Sequence, residues 1–181
     1  MKLPLLGQHN ILNALAAAAT ALQYGLTLLE CARALEELRP ADKRGEMIQL
    51  AGATIINDCY NSNPAALKSM VEVLVSLPAR RRIVVAGEML ELGPASEALH
   101  RECGAYMEAK VDLLLGVRGM AKHMVDEAEK VGLYAEFAES PEAAAEFLAT
   151  EIRSGDALLF KASRGVKLEK ALENLRAKLA G

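Results

Sequence analysis

The chain has 181 residues, 52% of them hydrophobic, and a formal net charge of −3. That length and apolar content suit one domain with an appendage. The charge argues against a nucleic-acid surface or an anionic-membrane surface, because both normally need clustered Lys and Arg. No apolar run approaches membrane-spanning length, and the three cysteines, which lack zinc-site spacing, predict reduced thiols in a cytoplasmic protein.

Two helices are predicted at the start of the chain, over residues 9–38. Gly25 is expected to close the first helix and Thr27 to cap the second. Their apolar faces comprise Ile11, Leu12, Leu15, Ala18, Ala19 and Leu22, followed by Leu29, Ala32, Leu35 and Leu38. The segment 39–45 then predicts a linker, and two helices bury too little apolar surface to form a domain.

From Glu46 onwards, strand and helix patterns alternate along the chain. The predicted strands are 46–50, 53–57, 82–87, 111–116, 133–138 and 156–161, and the predicted helices are 64–77, 94–109, 118–131, 141–152 and 165–179. This rhythm predicts an α/β fold, with a Rossmann-like, mostly parallel sheet and helices on both faces. A short helical segment precedes the sheet, and the first two strands are expected to form a hairpin that turns at Ala51-Gly52.

Polar segments follow three of the predicted strands, at 58–63, 87–94 and 161–165. Ligands of open α/β sheets bind at the carboxyl ends of the strands, so the three loops are expected to share one rim and form a cleft. Asn63 is placed to cap the next helix and Pro64 to occupy its first position. Capping does not explain Asp58, Tyr60 and Asn61, which therefore indicate a ligand site.

Two further groups favour ligand binding, each with a simpler alternative. Lys161, Ser163 and Arg164 before a helix suit a phosphate, a carboxylate or an acyl phosphate, although a solvated basic turn has the same composition. Asn10 and Asn13 lie three residues apart and therefore on one helical face. Their amides can read a heterocycle edge or a phosphate-bound water, whereas ordinary helix capping by Asn10 is the alternative.

The other polar residues are less specific. Glu88 and Glu91 can be solvated, can hold a neighbouring loop or can belong to the site, and no His or Asp at suitable spacing makes them a metal site. His100 and His123 fall in predicted helices and are more typical of surface or core. Cys59 has no neighbouring His to activate it and is interpreted as structural.

These motifs, in this order, resemble those of the Mur ligases. The segment Gly7-x-His9-Asn10-x-x-Asn13-x-x-Ala16-Ala17 is similar to the signature near the end of the family's central ATPase domain. The run Asp58-x-Tyr60-Asn61-x-Asn63-Pro64 resembles the loop of the member that adds a dipeptide. The set is completed by Gly87-Glu88-Met89-x-Glu91-Leu92-Gly93, the later His100 and Lys161-Ala162-Ser163-Arg164, so that the resemblance covers essentially the whole chain.

The resemblance implies that residues 1–40 are the last helices of the central ATPase domain and that residues 41–181 form the C-terminal Rossmann-like ligase domain. An intact relative would use ATP and Mg²⁺ to activate UDP-N-acetylmuramoyl-tripeptide as an acyl phosphate, which the amine of D-alanyl-D-alanine attacks. The chain contains no Gly-Lys-Thr or Gly-Lys-Ser phosphate loop. The N-terminal and central domains of the same polypeptide are therefore expected partners, and this portion alone is expected to be inactive.

The resemblance also implies roles for individual residues. ATP would be contacted by His9, Asn10, Asn13, Arg44 and Asp58. Among these, Asn13 would lie near the adenine, Arg44 would reach the nucleotide from the linker, and Asp58 would accept hydrogen bonds from the ribose. The dipeptide pocket would be formed by Tyr60, Asn61 and Asn63, with Lys161, Ser163 and Arg164 neutralising the phosphate or the dipeptide carboxylate; Lys161 and Arg164 are the catalytic candidates and Ser163 a substrate contact.

Three departures from the family pattern qualify these roles. Ala162 stands where relatives usually carry Gly, Ala66 where a Ser often stands, and Glu88 where Asp is usual; the first two are expected to narrow or dry the pocket. Two other functions remain open: a different Mur-type or folylpolyglutamate-type ligase, and a stand-alone Rossmann-like module that binds a dinucleotide. No Gly-x-Gly-x-x-Gly follows a predicted strand, which disfavours the second.

Overall fold

The computed structural model describes residues 3–39 and 43–180. Within these ranges the helices are α1 (Gln8–Gln23), α2 (Leu28–Glu36), α3 (Pro64–Ser76), α4 (Ser96–Tyr106), α5 (Ala121–Lys130), α6 (Pro141–Glu151) and α7 (Glu169–Ala180). The strands are β1 (Glu46–Leu50), β2 (Ala53–Asp58), β3 (Arg81–Gly87), β4 (Leu113–Val117), β5 (Ala135–Ala138) and β6 (Asp156–Lys161). Each predicted strand and helix is therefore present.

The strands form one sheet in the order β1-β2-β6-β3-β4-β5. Strands β1 and β2 pair antiparallel through the predicted hairpin, where Ala51 and Gly52 both have positive φ, as the tight turn of a two-residue hairpin requires. All other pairings are parallel. The predicted mostly parallel sheet is confirmed, and β6, one of its two central strands, is buried along its whole length.

Helices cover both faces of the sheet, as predicted. One face packs against α3, α4 and α5 through residues such as Leu67, Cys103 and Met124. The other packs against α6 and α7 through residues such as Leu148 and Leu175. Because both faces are buried, the parallel strands are nearly continuous apolar runs rather than alternating ones.

Several predicted boundaries were wrong by a few residues. The helix predicted over 165–179 begins instead at Glu169, because Lys167 adopts a left-handed conformation (φ 56°) that an α-helix cannot contain. Similarly, Arg118 and Gly119 have positive φ, which delays α5 to Ala121. Val111 and Leu133 are buried beside the sheet but precede the paired residues of β4 and β5.

The two N-terminal helices are joined and capped as predicted. Gly25 has φ 87° at the end of α1. Thr27 forms a capping box with Glu30, in which the Glu30 N–H donates to Thr27 Oγ1 (3.3 Å) and the Thr27 N–H donates to Glu30 Oε2 (2.8 Å). The predicted domain boundary at residues 40 and 41 lies outside the described residues. No helix of the described part of the chain is long and apolar enough to cross a membrane.

Helices α1 and α2 expose much of the apolar surface that was expected to pack. Leu12 is 68% and Leu28 71% exposed, and Ile11, Leu15 and Leu29 are more than half exposed. An apolar cavity of about 900 Å³ lies between α1, α2 and α3. The predicted apolar faces are therefore present but only partly covered within the described residues.

Candidate functional site

The carboxyl ends of β2 and β6 and the first turns of α1 enclose a polar cavity of about 230 Å³. Most of the predicted site residues line it: His9, Asn10, Asn13, Arg44, Asp58, Tyr60, Asn61, Asn63 and Lys161. Groups that are more than 100 positions apart in the chain meet there, since β2 and β6 are adjacent and parallel. The predicted convergence of the loops at one rim is thus what the structure shows for β2 and β6.

An ion pair between Asp58 and Lys161 forms the floor of this cavity. The two residues are direct partners in the β2–β6 register. Lys161 Nζ lies 2.5 Å from Asp58 Oδ2 and donates a second hydrogen bond of 2.9 Å to the carbonyl oxygen of Asn61. The two side chains are only 4% and 15% exposed. Because an ammonium has three N–H donors and two are used within the described residues, the third is available to a ligand.

The turn from β2 into α3 is built by local hydrogen bonds. Asn63 Oδ1 accepts a 2.8 Å hydrogen bond from the Ala66 N–H and caps α3, and Pro64 occupies the first turn, which confirms the capping prediction. Asn61 Oδ1 accepts from the Ser62 N–H at 2.8 Å. These bonds hold the polar segment against the cavity.

Two guanidinium groups lie beside the aromatic ring of Tyr60. The Cζ atom of Arg44 lies 3.9 Å and that of Arg164 5.3 Å from the ring centroid, within cation–π range. The Tyr60 N–H also donates to the carbonyl oxygen of Lys43 at 3.1 Å. Among the described residues no carboxylate pairs with Arg44 or Arg164, and both side chains are exposed. Both guanidinium groups are therefore placed to receive an anion.

The first turns of α1 supply amides and an imidazole. Asn13 Nδ2 donates to Asn10 Oδ1 (3.4 Å), which confirms that the two side chains share a helical face. The alternative that Asn10 caps the helix is wrong: Gly7 is the cap residue, and Asn10 Nδ2 instead donates to the Leu6 carbonyl oxygen at 2.7 Å. His9 Nδ1 lies 3.2 Å from Ser69 Oγ of α3, which ties α1 to α3.

Ser163 and Arg164 do not line the cavity beside Lys161. Ser163 is 3% exposed, and its Oγ accepts from the Leu90 N–H (2.9 Å) while its hydroxyl donates to the Ser62 carbonyl oxygen (3.4 Å). Arg164 lies on the rim beside Tyr60. The expected cluster of ammonium, hydroxyl and guanidinium is therefore divided between the cavity floor, the interior and the rim.

Ser62 is a site residue that sequence analysis missed. It lines the cavity, is 5% exposed, and within the described part of the chain its Oγ has no hydrogen-bond partner. A buried hydroxyl without a partner is unfavourable unless a ligand or water satisfies it. Ser62 could have been predicted from the sequence, because it lies within the polar segment 58–63.

The two acids of the 87–94 segment have different surroundings. Glu88 Oε1 accepts from the Met120 N–H at 3.3 Å, so it holds the neighbouring loop before α5, one of the alternatives left open. Glu91 is exposed. No group of three or more His, Cys, Asp or Glu side chains among the described residues is placed to hold a metal ion.

The chain is similar to a family of ligases and to several of its members. A family model described as Mur ligase, glutamate ligase domain, matches residues 43–164. The UDP-N-acetylmuramoyl-tripeptide–D-alanyl-D-alanine ligase of Bacillus subtilis is 36% identical over 184 residues, which cover 96% of this chain and 39% of that protein. The Escherichia coli ligase of the same name is 41% identical over 132 residues, which cover 72% of this chain and 29% of that protein.

Solved structures agree with these sequence relatives. A MurF ligase from Thermotoga maritima in complex with ADP superimposes with a TM-score of 0.81 at 27% identity, over 97% of this chain and 40% of that one. MurF from Acinetobacter baumannii gives 0.84 at 29% identity, over 94% and 38%. The chain spans about two fifths of the length of each of these structures.

Proposed function

The chain belongs to the Mur ligase family, and from this premise we propose that it is the C-terminal portion of an ATP-dependent ligase that joins D-alanyl-D-alanine to UDP-N-acetylmuramoyl-tripeptide in peptidoglycan precursor synthesis. The observation that carries the proposal is the meeting of Asp58, Asn61 and Lys161 in one polar cavity at the carboxyl ends of β2 and β6. The names of the B. subtilis and E. coli relatives support the choice of substrates.

In this proposal the cavity binds the nucleoside, and the arginines on its rim bind anionic groups. Asp58 accepts hydrogen bonds from the ribose hydroxyls through the carboxylate oxygen that Lys161 leaves open, and Asn13 lies near the adenine. Arg44 and Arg164, unpaired with carboxylates in the described residues, bind phosphate or carboxylate oxygens. Lys161 and Arg164 act by charge and position on the reacting group, since neither is placed as a proton-accepting base.

The dipeptide is assigned to the turn before α3. The side chains of Tyr60, Asn61 and Asn63 line the cavity there, and the unsatisfied hydroxyl of Ser62 adds a hydrogen-bonding group for the substrate. Ser163, whose Oγ already donates and accepts, contributes by holding the Ser62 backbone. The polar run 60–64 resembles the loop of the dipeptide-adding member, which supports that ligase over other Mur-type members.

ATP and Mg²⁺ require groups beyond the described residues. We place the phosphate loop and the magnesium ligands in a central domain of the same polypeptide, and the acyl-phosphate step with them. Support for such a domain comes from the exposed apolar side chains of α1 and α2, such as Leu12 and Leu28, and from the apolar cavity between α1, α2 and α3. Apolar patches of this kind normally mark an interface.

The test is an activity assay on the longest open reading frame that contains this chain. Phosphate release from ATP should require both UDP-N-acetylmuramoyl-tripeptide and D-alanyl-D-alanine, and mass spectrometry should detect the pentapeptide product. The 181-residue chain alone should show no turnover. A strict requirement for a single amino acid instead of the dipeptide would assign the chain to another Mur-type ligase, and turnover by the 181-residue chain alone would refute the placement of the phosphate site.

A further inference from the structure

His100 is a fully buried imidazole that the proposed chemistry does not use. It lies in α4, is 0% exposed, and both ring nitrogens have backbone partners. Nε2 accepts a 2.9 Å hydrogen bond from the Met89 N–H, and Nδ1 lies 2.7 Å from the carbonyl oxygen of Ser96. An amide N–H can only donate and a carbonyl oxygen can only accept, so the ring must be neutral with its proton on Nδ1.

Met89 belongs to the segment that follows β3, residues 88–92, here called the β3 loop. This loop has other fixed points: the Glu88 N–H donates to the Val117 carbonyl oxygen, and the Ser163 N–H donates to the Glu88 carbonyl oxygen, both at 3.2 Å. Met89 is itself buried. The imidazole of His100 therefore satisfies a buried amide in a part of the loop where no secondary structure can do so.

The β3 loop is connected in turn to the cavity. The Leu90 N–H, next along the chain, donates to Ser163 Oγ, and the Ser163 hydroxyl donates to the Ser62 carbonyl oxygen. Ser62 follows Asn61, whose carbonyl oxygen accepts from Lys161. An unbroken path of hydrogen bonds and adjacent residues thus leads from α4 through the β3 loop to the cavity floor.

We infer that His100 is a positioning residue, which holds the β3 loop through Met89 and, through Ser163, sets the backbone of residues 61–63 at the proposed ligase site. The inference rests on the proposed function for its catalytic consequence, but its structural part concerns only this chain. Burial also lowers the pKa of His100, which agrees with the neutral ring that the two partners require.

Nuclear magnetic resonance of the 181-residue chain tests the structural part. The ring ¹⁵N shifts should identify a neutral imidazole protonated at Nδ1. In His100→Leu, hydrogen exchange at the Met89 and Leu90 amides should become at least about tenfold faster, while His100→Gln, whose side-chain oxygen can accept from Met89, should restore most of the protection. The matched control is His123→Leu, on α5, which should leave both amides unchanged.

Kinetics of the longer ligase test the catalytic part. His100→Leu should lower kcat by about tenfold or more with a much smaller effect on the KM for ATP, and His100→Gln should recover most of the rate, because displaced reacting groups cost rate rather than nucleotide affinity. A ring protonated at Nε2, or amide exchange unchanged in both variants, would overturn the inference. If His100→Leu does not fold, the wild-type ring shifts and the Gln variant decide.

The two proposals can fail separately. A longer protein without dipeptide ligation refutes the proposed function but leaves the amide-exchange result intact. Normal ligation by a folded His100→Leu variant refutes the positioning role while the proposed function stands.

Discussion

The methyl group of Ala162 occupies the space that a side chain on Gly87 would need. A Cβ atom on Gly87 would lie 2.6 Å from Ala162 Cβ and 3.0 Å from Val166 Cγ1. Ala162 belongs to the core on the α6 and α7 side of the sheet, whereas the neighbouring Lys161 lines the polar cavity. The expectation that Ala162 narrows or dries the pocket is therefore wrong for this cavity, because the Ala162 methyl group packs in the core and does not line it.

This contact makes Gly87 sensitive to a single methyl group. Gly87→Ala should destabilise the chain by about 1–3 kcal/mol, since overpacking forces the backbone or the neighbouring side chains to move. Urea unfolding measures the loss. The double variant Gly87→Ala with Ala162→Gly exchanges the two methyl positions and should recover part of the stability; equal losses in the single and the double variant would contradict the packing.

Replacing only one partner of the Asp58–Lys161 ion pair should lower the free energy of unfolding substantially. Lys161→Met leaves a nearly buried carboxylate without its partner and should cost about 3 kcal/mol, whereas adding Asp58→Asn should reduce that loss. A double-mutant cycle by denaturant unfolding gives the coupling energy. Additive losses in the cycle would show that the two side chains do not interact in solution.

Stability should depend on pH through His100. Desolvation lowers its pKa from 6.5; the Ser96 carbonyl and Glu88 oppose this shift, and His123 adds to it. The unfolded chain then binds more protons than the folded chain, so this contribution is complete above about pH 6.5 and is lost as the pH falls towards the folded-state pKa.

The free-energy advantage of the wild type over His100→Gln should accordingly shrink as the pH falls from about 7 to about 5. Urea unfolding at a series of pH values measures it, with the exposed His9→Gln as the control. A constant advantage across this range would contradict the assignment of a neutral, buried imidazole.

Two variants of Asn63 should distinguish a helix-capping role from a substrate-binding role. Asn63→Ala removes the acceptor for the Ala66 N–H and should cost about 1 kcal/mol, while Asn63→Asp keeps a capping oxygen and should remain near wild-type stability. In the longer ligase that we propose, a raised KM for the dipeptide in the Asp variant would support the proposed contact. Wild-type kinetics in that variant would restrict Asn63 to capping.

The cysteines should be unreactive in the folded chain. Cys31, Cys59 and Cys103 are buried, and burial raises the pKa of Cys59 strongly and that of Cys103 to about 11. Because the thiolate is the reactive form, a thiol reagent at about pH 8 should label the native chain far more slowly than the denatured chain. Rapid labelling of Cys59 in the native state would show that the turn after β2 opens in solution.

Much of the fold was predictable because its signals are local. The cap at Asn63, the capping box at Thr27 and the hairpin at Ala51-Gly52 each depend on residues within a few positions of one another, and all are present. Parallel strands present their carboxyl ends on one edge, so a shared rim for the 58–63 and 161–165 loops was also predictable, whereas the adjacency of β2 and β6 was not. The start of α7 was wrong because Lys167 adopts a conformation that helical periodicity does not reveal.

The amino-acid sequence alone determined the succession of strands and helices, the edge of the sheet where polar groups gather, and the residues found there. Only the tertiary structure decided how those groups are used: Lys161 binds Asp58, Ser163 turns inward between two loops, and Arg44 and Arg164 flank Tyr60. The reason is physical. Secondary structure follows from neighbours along the chain, whereas the partner of a polar side chain depends on strand register and on which face of the sheet each residue occupies.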